Sequence, residues 1–209
     1  MDFSEADAAG IVMSWLSAKR PLVATRRHPG MPGDRCPLGL PLPPHLGKRR
    51  IGIVVPLQAV DEIRPPPFLD RVIPALPSRW RQSLDTLTRR AETRGIRFRV
   101  FGSMAWQYLT GESYVGPQSD VDLLWRPSDL EQMRQGLKIL SEWEQESSLR
   151  GDGEVVLPDG RAVAWRELVA RSTAVLVKGL DSVELIPRAR LESMFAAGFP
   201  CQTRYSHSA

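Results

Sequence analysis

One run of residues constrains the fold more than any other. Ile96-Arg97-Phe98-Arg99-Val100-Phe101 alternates apolar and basic side chains, as a half-buried strand does, and delivers the chain to Gly102-Ser103. Met104 to Leu109 then reads as a short helix ended by Gly111, and Val121 to Trp125 as a second strand with Asp120 and Asp122 at its start. Side chains alternate along a strand, so Asp120 and Asp122 share one face while Val121 points into the core. Two carboxylates on one face repel, and each raises the other's pKa unless a cation lies between them. A hard divalent ion, most naturally Mg²⁺, resolves that conflict with oxygen ligands and keeps positions open for phosphate oxygens. Gly102 lets the backbone approach those phosphates, and Ser103 with the amides of the helix start binds them. Such a set supports in-line attack on phosphorus with diphosphate leaving. An isolated Asp-x-Asp is common on solvated strand ends; the order strand, Gly-Ser, helix, Asp-x-Asp strand makes catalysis the better reading.

The chain has 209 residues, enough for one large domain or two small ones, and 42% of them are hydrophobic. No apolar run approaches the ~20 residues of a membrane span, and Met1-Asp2-Phe3-Ser4-Glu5 lacks the order of a secretory signal, so a cytoplasmic protein is expected. Cys36 and Cys201 make neither a disulfide framework nor a metal-ligand spacing. The net charge of +4 conceals a division: residues 1–100 carry 17 Lys/Arg against 9 Asp/Glu, residues 101–209 carry 11 against 15. A basic half joined to an acidic catalytic half suits an anionic substrate or partner. Only four of the basic residues are lysines, and arginine's planar fork favours phosphate and carboxylate, although genome composition alone can produce the same bias. No nucleic-acid-binding motif accompanies the basic charge.

Two domains are expected, a basic N-terminal α/β region over 1–95 and a catalytic domain over 96–209, an α+β mixed sheet flanked by helices. Residues 4–18 are a helix capped by Ser4, Pro21 to Thr25 a short strand, and the Pro- and Gly-dense residues 28–47 a loop that holds no regular ladder. Lys48-Arg49-Arg50 precedes the strand Ile51 to Val55; basic residues there contact an anion or form a solvated flank. Trp80, Leu84, Leu87 and Ala91 form one helical face, read as core. Ser128-Asp129-Leu130-Glu131 caps a helix running to about Glu146, whose acidic end reads as a solvated face. Glu154 to Leu157 and Arg161 to Trp165 form a hairpin through Pro158-Asp159-Gly160. Ala174 to Val177 is a strand ending at Lys178, which either touches a phosphate or is a surface turn lysine, and a last helix runs to about Ala197. The three histidines are scattered, and none reads as a base or ligand.

The Gly-Ser and Asp-x-Asp order is similar to the active-site signature of the nucleotidyltransferase superfamily. Val100 to Gly111, then Tyr114-Val115, Ser119 to Leu124, Asp152-Gly153-Glu154, Pro158 to Leu168 and Val175 to Lys178 more specifically resemble the phosphoribosyl-dephospho-CoA transferases, the holo-acyl-carrier-protein synthases of malonate decarboxylase. The resemblance implies a nucleotidyltransferase-like sheet. It also implies transfer of a 2′-(5″-phosphoribosyl)-3′-dephospho-CoA group from triphosphoribosyl-dephospho-CoA to a serine of the apo acyl-carrier subunit, with diphosphate released. Asp120 and Asp122 match the family's essential pair. The superfamily often adds a third carboxylate on a neighbouring strand, for which Glu154 is the expected residue and Asp152 the alternative. The metal set is thus Asp120, Asp122 and Glu154, with Gly102, Ser103, Arg49, Arg50 and Lys178 on the substrate side. Acyl carriers are acidic, which gives the basic N-terminal half a role as a docking face. Two other functions fit the same residues: a transferase using an ordinary nucleoside triphosphate, and an inactive nucleotide-binding module. The intact Asp pair argues against the latter.

Overall fold

Two sheets divide the chain. The computed structural model describes residues 5–196 except Lys48, Arg171 and Asp181; the expected Ser4 cap, Cys201 and the end of the last helix lie outside them. Helix α1 (Glu5–Ser17) precedes a three-stranded antiparallel sheet of β1 (Val23–Ala24), β2 (Arg35–Pro41) and β3 (Arg50–Pro56), in that order. Strand β2 corrects the expectation of a loop over 28–47. Its prolines are tolerated for a directional reason. The Pro37 carbonyl accepts from Thr25 N at 3.0 Å, so residues 37, 39 and 41 turn their backbone groups toward β1. Strand β1 pairs only with Leu38 and Gly39, so the donors that Pro37 and Pro41 lack face the open flank of a two-residue strand, while even-numbered residues keep the β3 ladder.

The larger unit runs α2 (Leu69–Val72), α3 (Ser78–Glu92), β4 (Arg99–Val100), α4 (Gly102–Thr110), β5 (Val121–Trp125), α5 (Leu130–Glu146), β6 (Gly151–Val156), β7 (Ala162–Ala164), α6 (Trp165–Val169), β8 (Ala174–Lys178), β9 (Val183–Pro187) and α7 (Arg188–Ala196). Strands β4 to β9 form one mixed sheet in chain order; β5 and β6 are parallel, crossed over by α5, and every other pair is antiparallel. The fold is therefore α+β. Strand β4 covers only two residues of the expected 96–101, although Ile96, Phe98 and Val100 keep the buried alternation. The α5 cap is one residue later than expected: the Asp129 carboxylate accepts from Gln132 N at 2.7 Å, and Gln132 Oε1 accepts from Ser128 N at 2.8 Å.

One face of the six-stranded sheet is covered. Val121, Leu123, Val155, Val163, Val175 and Ile186 point to it and pack with Leu84 and Leu87 of α3 and Leu140 of α5. Trp80, Leu84, Leu87 and Ala91 are buried as expected, but in this core. Residues 69–92, assigned by the sequence to a 1–95 domain, thus belong with the larger sheet, and the two cores divide the chain near residue 67. The opposite face of β5 to β8 carries partly exposed residues throughout.

The small sheet packs on α4 and the loop beyond it. Leu40, Leu42 and Trp15 bury with Tyr114, and the Trp15 and Trp106 rings lie 6.1 Å apart. The Tyr114 hydroxyl donates to the Pro41 carbonyl at 2.9 Å, and Arg20 pairs with Glu112 at 2.8 Å.

Candidate active site

The site is built where β4, α4, β5 and β6 meet. Phe101 N donates to the Asp122 carbonyl at 3.1 Å, which fixes the entry to α4 beside the start of β5. Gly102 then turns at φ +64, and a Cβ there would come within 1.8 Å of Asp122 Oδ2. Glycine is required twice over, for the left-handed backbone and for the carboxylate lying against it. No side chain caps α4, so its first amides have no side-chain acceptor. Gly102, Ser103 and those amides stand beside Asp122, at a helix start of the kind that can accept an anion.

Asp120 precedes β5, and Asp122 lies on the strand's open face, as the alternation requires. Directly across the parallel ladder from Asp122 is Asp152. Glu154 lies one step farther, across from Leu124, with its carboxylate 3.2 Å from Lys178 Nζ. The structure therefore brings Asp152 to Asp122, and Glu154 to Lys178. Two local features seat Asp152. Gly153 has φ +130, and a Cβ on it would fall 1.8 Å from the Leu123 carbonyl oxygen, so only glycine permits this approach of β6 to β5. Glu144 Oε1 accepts from Gly151 N at 3.0 Å and pairs with Arg166, so this member of the acidic α5 end, expected to be solvated, anchors the start of β6.

The electrostatics follow from the crowding. Burial, then the charge of Asp152, then that of Asp120 push the Asp122 carboxyl up to about 6. Arg150 offsets part of the charge, its Nε lying 3.7 Å from Asp120 Oδ1. The donor set fits a hard divalent cation in type and charge: oxygen ligands that repel one another and gain from a positive ion between them. Among the described residues, no three His, Cys, Asp or Glu side chains are grouped closely enough to hold a metal ion as they stand.

Arg49 and Arg50 are exposed and lie apart from the carboxylates, at the start of β3. Arg50 stands across from Pro41, whose carbonyl holds Tyr114 in the loop that runs on to Asp120. Sequence reasoning gave no role to Arg150 or to the short-range geometry of Gly153. The second was visible as the Asp152-Gly153 pair, a glycine inside a strand pattern marking close backbone approach.

Comparison with known proteins completes the picture. A family model described as phosphoribosyl-dephospho-CoA transferase MdcG C-terminal domain matches residues 68–189, and the corresponding N-terminal domain model matches residues 2–66. A phosphoribosyl-dephospho-CoA transferase of Xanthomonas euvesicatoria pv. vesicatoria is 40% identical over 177 residues, 85% of this chain and 83% of the relative. Its counterpart in Bradyrhizobium diazoefficiens is 33% identical over 181 residues, 87% of this chain and 80% of the relative. No solved structure matches the chain. With both family models matched in order and the carboxylate cluster inside the second, the chain belongs to the phosphoribosyl-dephospho-CoA transferase MdcG family of transferase enzymes.

Proposed function

We propose that the protein transfers the 2′-(5″-phosphoribosyl)-3′-dephospho-CoA group from triphosphoribosyl-dephospho-CoA to a serine of the apo acyl-carrier subunit of malonate decarboxylase. The observation that carries this reading is the cluster of Asp122, Asp152 and Asp120 beside the uncapped start of α4, in a chain whose relatives bear that transferase name. The serine oxygen bonds to the first phosphorus of the triphosphate, the bond from that phosphorus to its bridging oxygen breaks, and diphosphate leaves. The serine proton passes to Asp122 or to solvent. Gly102, Ser103 and the first amides of α4 hold phosphate oxygens in line with the serine. Asp120 and Asp122, with Asp152 facing them or Glu154 one step farther, are the residues that would hold Mg²⁺. The ion, when bound, neutralises charge on the attacking and leaving oxygens.

The carrier is acidic by the nature of acyl carriers, and the exposed Arg49 and Arg50 give it a basic docking face at the end of the small sheet that meets the catalytic loop. Charge reversal of both arginines raises the KM for the carrier if this is the docking face; an unchanged KM removes them from it.

The test is a mass shift. The protein is incubated with Mg²⁺, apo acyl-carrier subunit and triphosphoribosyl-dephospho-CoA, with ATP and CTP as parallel donors. Addition of the phosphoribosyl-dephospho-CoA group with diphosphate release is the expected result. Addition of AMP or CMP alone moves the donor to an ordinary nucleoside triphosphate, and no addition from any donor overturns the reading.

A further inference from the structure

The open face of the sheet continues from the carboxylates toward β9, and its charge pattern changes on the way. Between β5 and β8 the open-face positions carry one cation, Lys178. Its ammonium is drawn across β7, whose open-face residues are only Ala162 and Ala164, to within 3.2 Å of Glu154 Oε1. Beyond Lys178 the face turns apolar. Val183 stands across from Lys178 and is 47% exposed, and Leu185 stands across from Leu176 and is 66% exposed. Exposed leucine and valine side by side on a sheet face form a small apolar strip that an uncharged chain can cover.

We propose that Lys178 is a donor-specificity residue: its ammonium, steered by Glu154, receives the internal diphosphate of the dephospho-CoA moiety, and the strip Leu176, Val183 and Leu185 receives the pantetheine arm. This inference rests on the proposed transfer. It depends on the spacing of charges. Glu154 lies two residues beyond Asp152 along β6, about 7 Å at 3.3 Å per residue, and the Lys178 ammonium lies just past it. In the donor, two linked ribose rings put about twelve bonds between the reacting phosphorus and the internal diphosphate, an extended reach of about 15 Å at bond lengths of about 1.5 Å, which spans the distance from the carboxylates to Lys178. An ordinary nucleoside triphosphate has no second diphosphate to place there. The pantetheine arm is an uncharged chain that leaves that diphosphate, and the apolar strip begins where it would start. As an ion pair about a third exposed, Lys178–Glu154 contributes little to stability, which leaves the lysine free to exchange partners with an anionic ligand at small cost.

The experiment titrates dephospho-CoA, which lacks the triphosphate, into the full chain by calorimetry. Lys178→Ala weakens its binding tenfold or more and raises the KM for the complete donor by a similar factor; Lys178→Arg restores most of the affinity. Leu185→Asp weakens dephospho-CoA severalfold while leaving ADP, which has the diphosphate but no arm, bound as before. Thermal melts check that each variant is folded, and Lys178→Met, matched in length, replaces the alanine variant if that one is not. Dephospho-CoA affinity unchanged in the folded Lys178 variant overturns the proposal even where the carrier is modified normally. A failed carrier modification with Lys178-dependent dephospho-CoA binding intact instead strikes the transfer reading and supports the ligand site. Light scattering that shows a dimer broken by Leu185→Asp, with dephospho-CoA affinity unchanged, assigns the strip to a second copy and overturns the pantetheine assignment.

Discussion

Among the described residues, the apolar cluster of the small sheet draws on Trp15, Leu40 and Leu42 from its own segment, and is completed by Tyr114 from the loop before Asp120. The six-stranded sheet is backed by thirty buried side chains, all from residues 69–195. The first core is too small to offset the entropy of ordering some sixty residues, whereas the second is of the size that supports an independent domain. The carboxylates proposed for catalysis lie beside the open face of the sheet that needs no help, and the basic residues proposed for carrier docking lie on the one that does. On the proposed function, chemistry and folding are separable in the larger sheet, and recognition and folding are coupled in the smaller.

The sharpest break of that comparison is at the carboxylates. Asp122→Asn or Asp120→Asn removes transfer activity by at least about 10³-fold, in line with the loss of groups that stabilise charge only in the transition state. The fold survives, because neither side chain belongs to the backing core. Near-normal kcat/KM in either variant would sink the mechanism. Loss of folding would show instead that the open face carries structure.

Next is the dependence of the small sheet on the large. Residues 68–209 made alone are expected to fold, with a cooperative melt, while residues 1–67 made alone are not. In the full chain, Trp15→Ala costs about 3–5 kcal/mol, as large-to-small changes in cores do, and acts on the N-terminal sheet. Hydrogen exchange in β2 and β3 then rises while β5 and β6 keep their protection. Loss of protection in both sheets together would mean one cooperative unit and end the distinction.

How far the sequence told these regions apart depended on the range of the interactions. Alternation and helical spacing are local, so the Gly102-Ser103 turn, the open-face position of Asp122, and the Trp80 to Ala91 stripe were legible. The ladder of β2 was hidden because proline content argues against a strand unless it is known which way each missing donor points. That direction is set by β1, some fourteen residues earlier. The boundary near 67 was hidden for a similar reason: an amphipathic α3 states that it is buried, but not against which sheet. The choice between Glu154 and Asp152 as the neighbour of Asp122 turned on a parallel register across a crossover helix, which no short-range pattern in the chain encodes.

A smaller effect concerns charge on the open face. Free of metal, the Asp122 carboxyl is pushed up from its ordinary 3.8 to about 6, so the folded chain holds that proton more tightly than the unfolded chain does. The stability this gives is fully present below about pH 4 and is lost as pH rises through 6. In EDTA, Asp122→Asn therefore gains on the wild type between pH 4 and 7, by up to about 3 kcal/mol or roughly 6–12 °C in Tm for a chain of this size. Mg²⁺ added at pH 7.5 raises the wild-type Tm and leaves the variant behind. A difference in Tm that is flat with pH would remove the crowding of Asp122 by Asp152 and Asp120.

The smallest effect tests the tie between the sheets itself. Tyr114→Phe removes the hydroxyl that donates to the Pro41 carbonyl at 2.9 Å and keeps the ring against Trp106, 6.3 Å away. One hydrogen bond of this kind contributes about 1 kcal/mol. Burial pushes the Tyr114 hydroxyl up to about 12, so it stays protonated and the loss is the same at pH 6 and pH 9, unlike that at Asp122. Because the tie holds the end of β2 to the loop before Asp120, the variant also raises the carrier KM severalfold while kcat changes less. A carrier KM that does not move, with the expected loss of stability, would show that docking on the small sheet does not need its register against the catalytic loop.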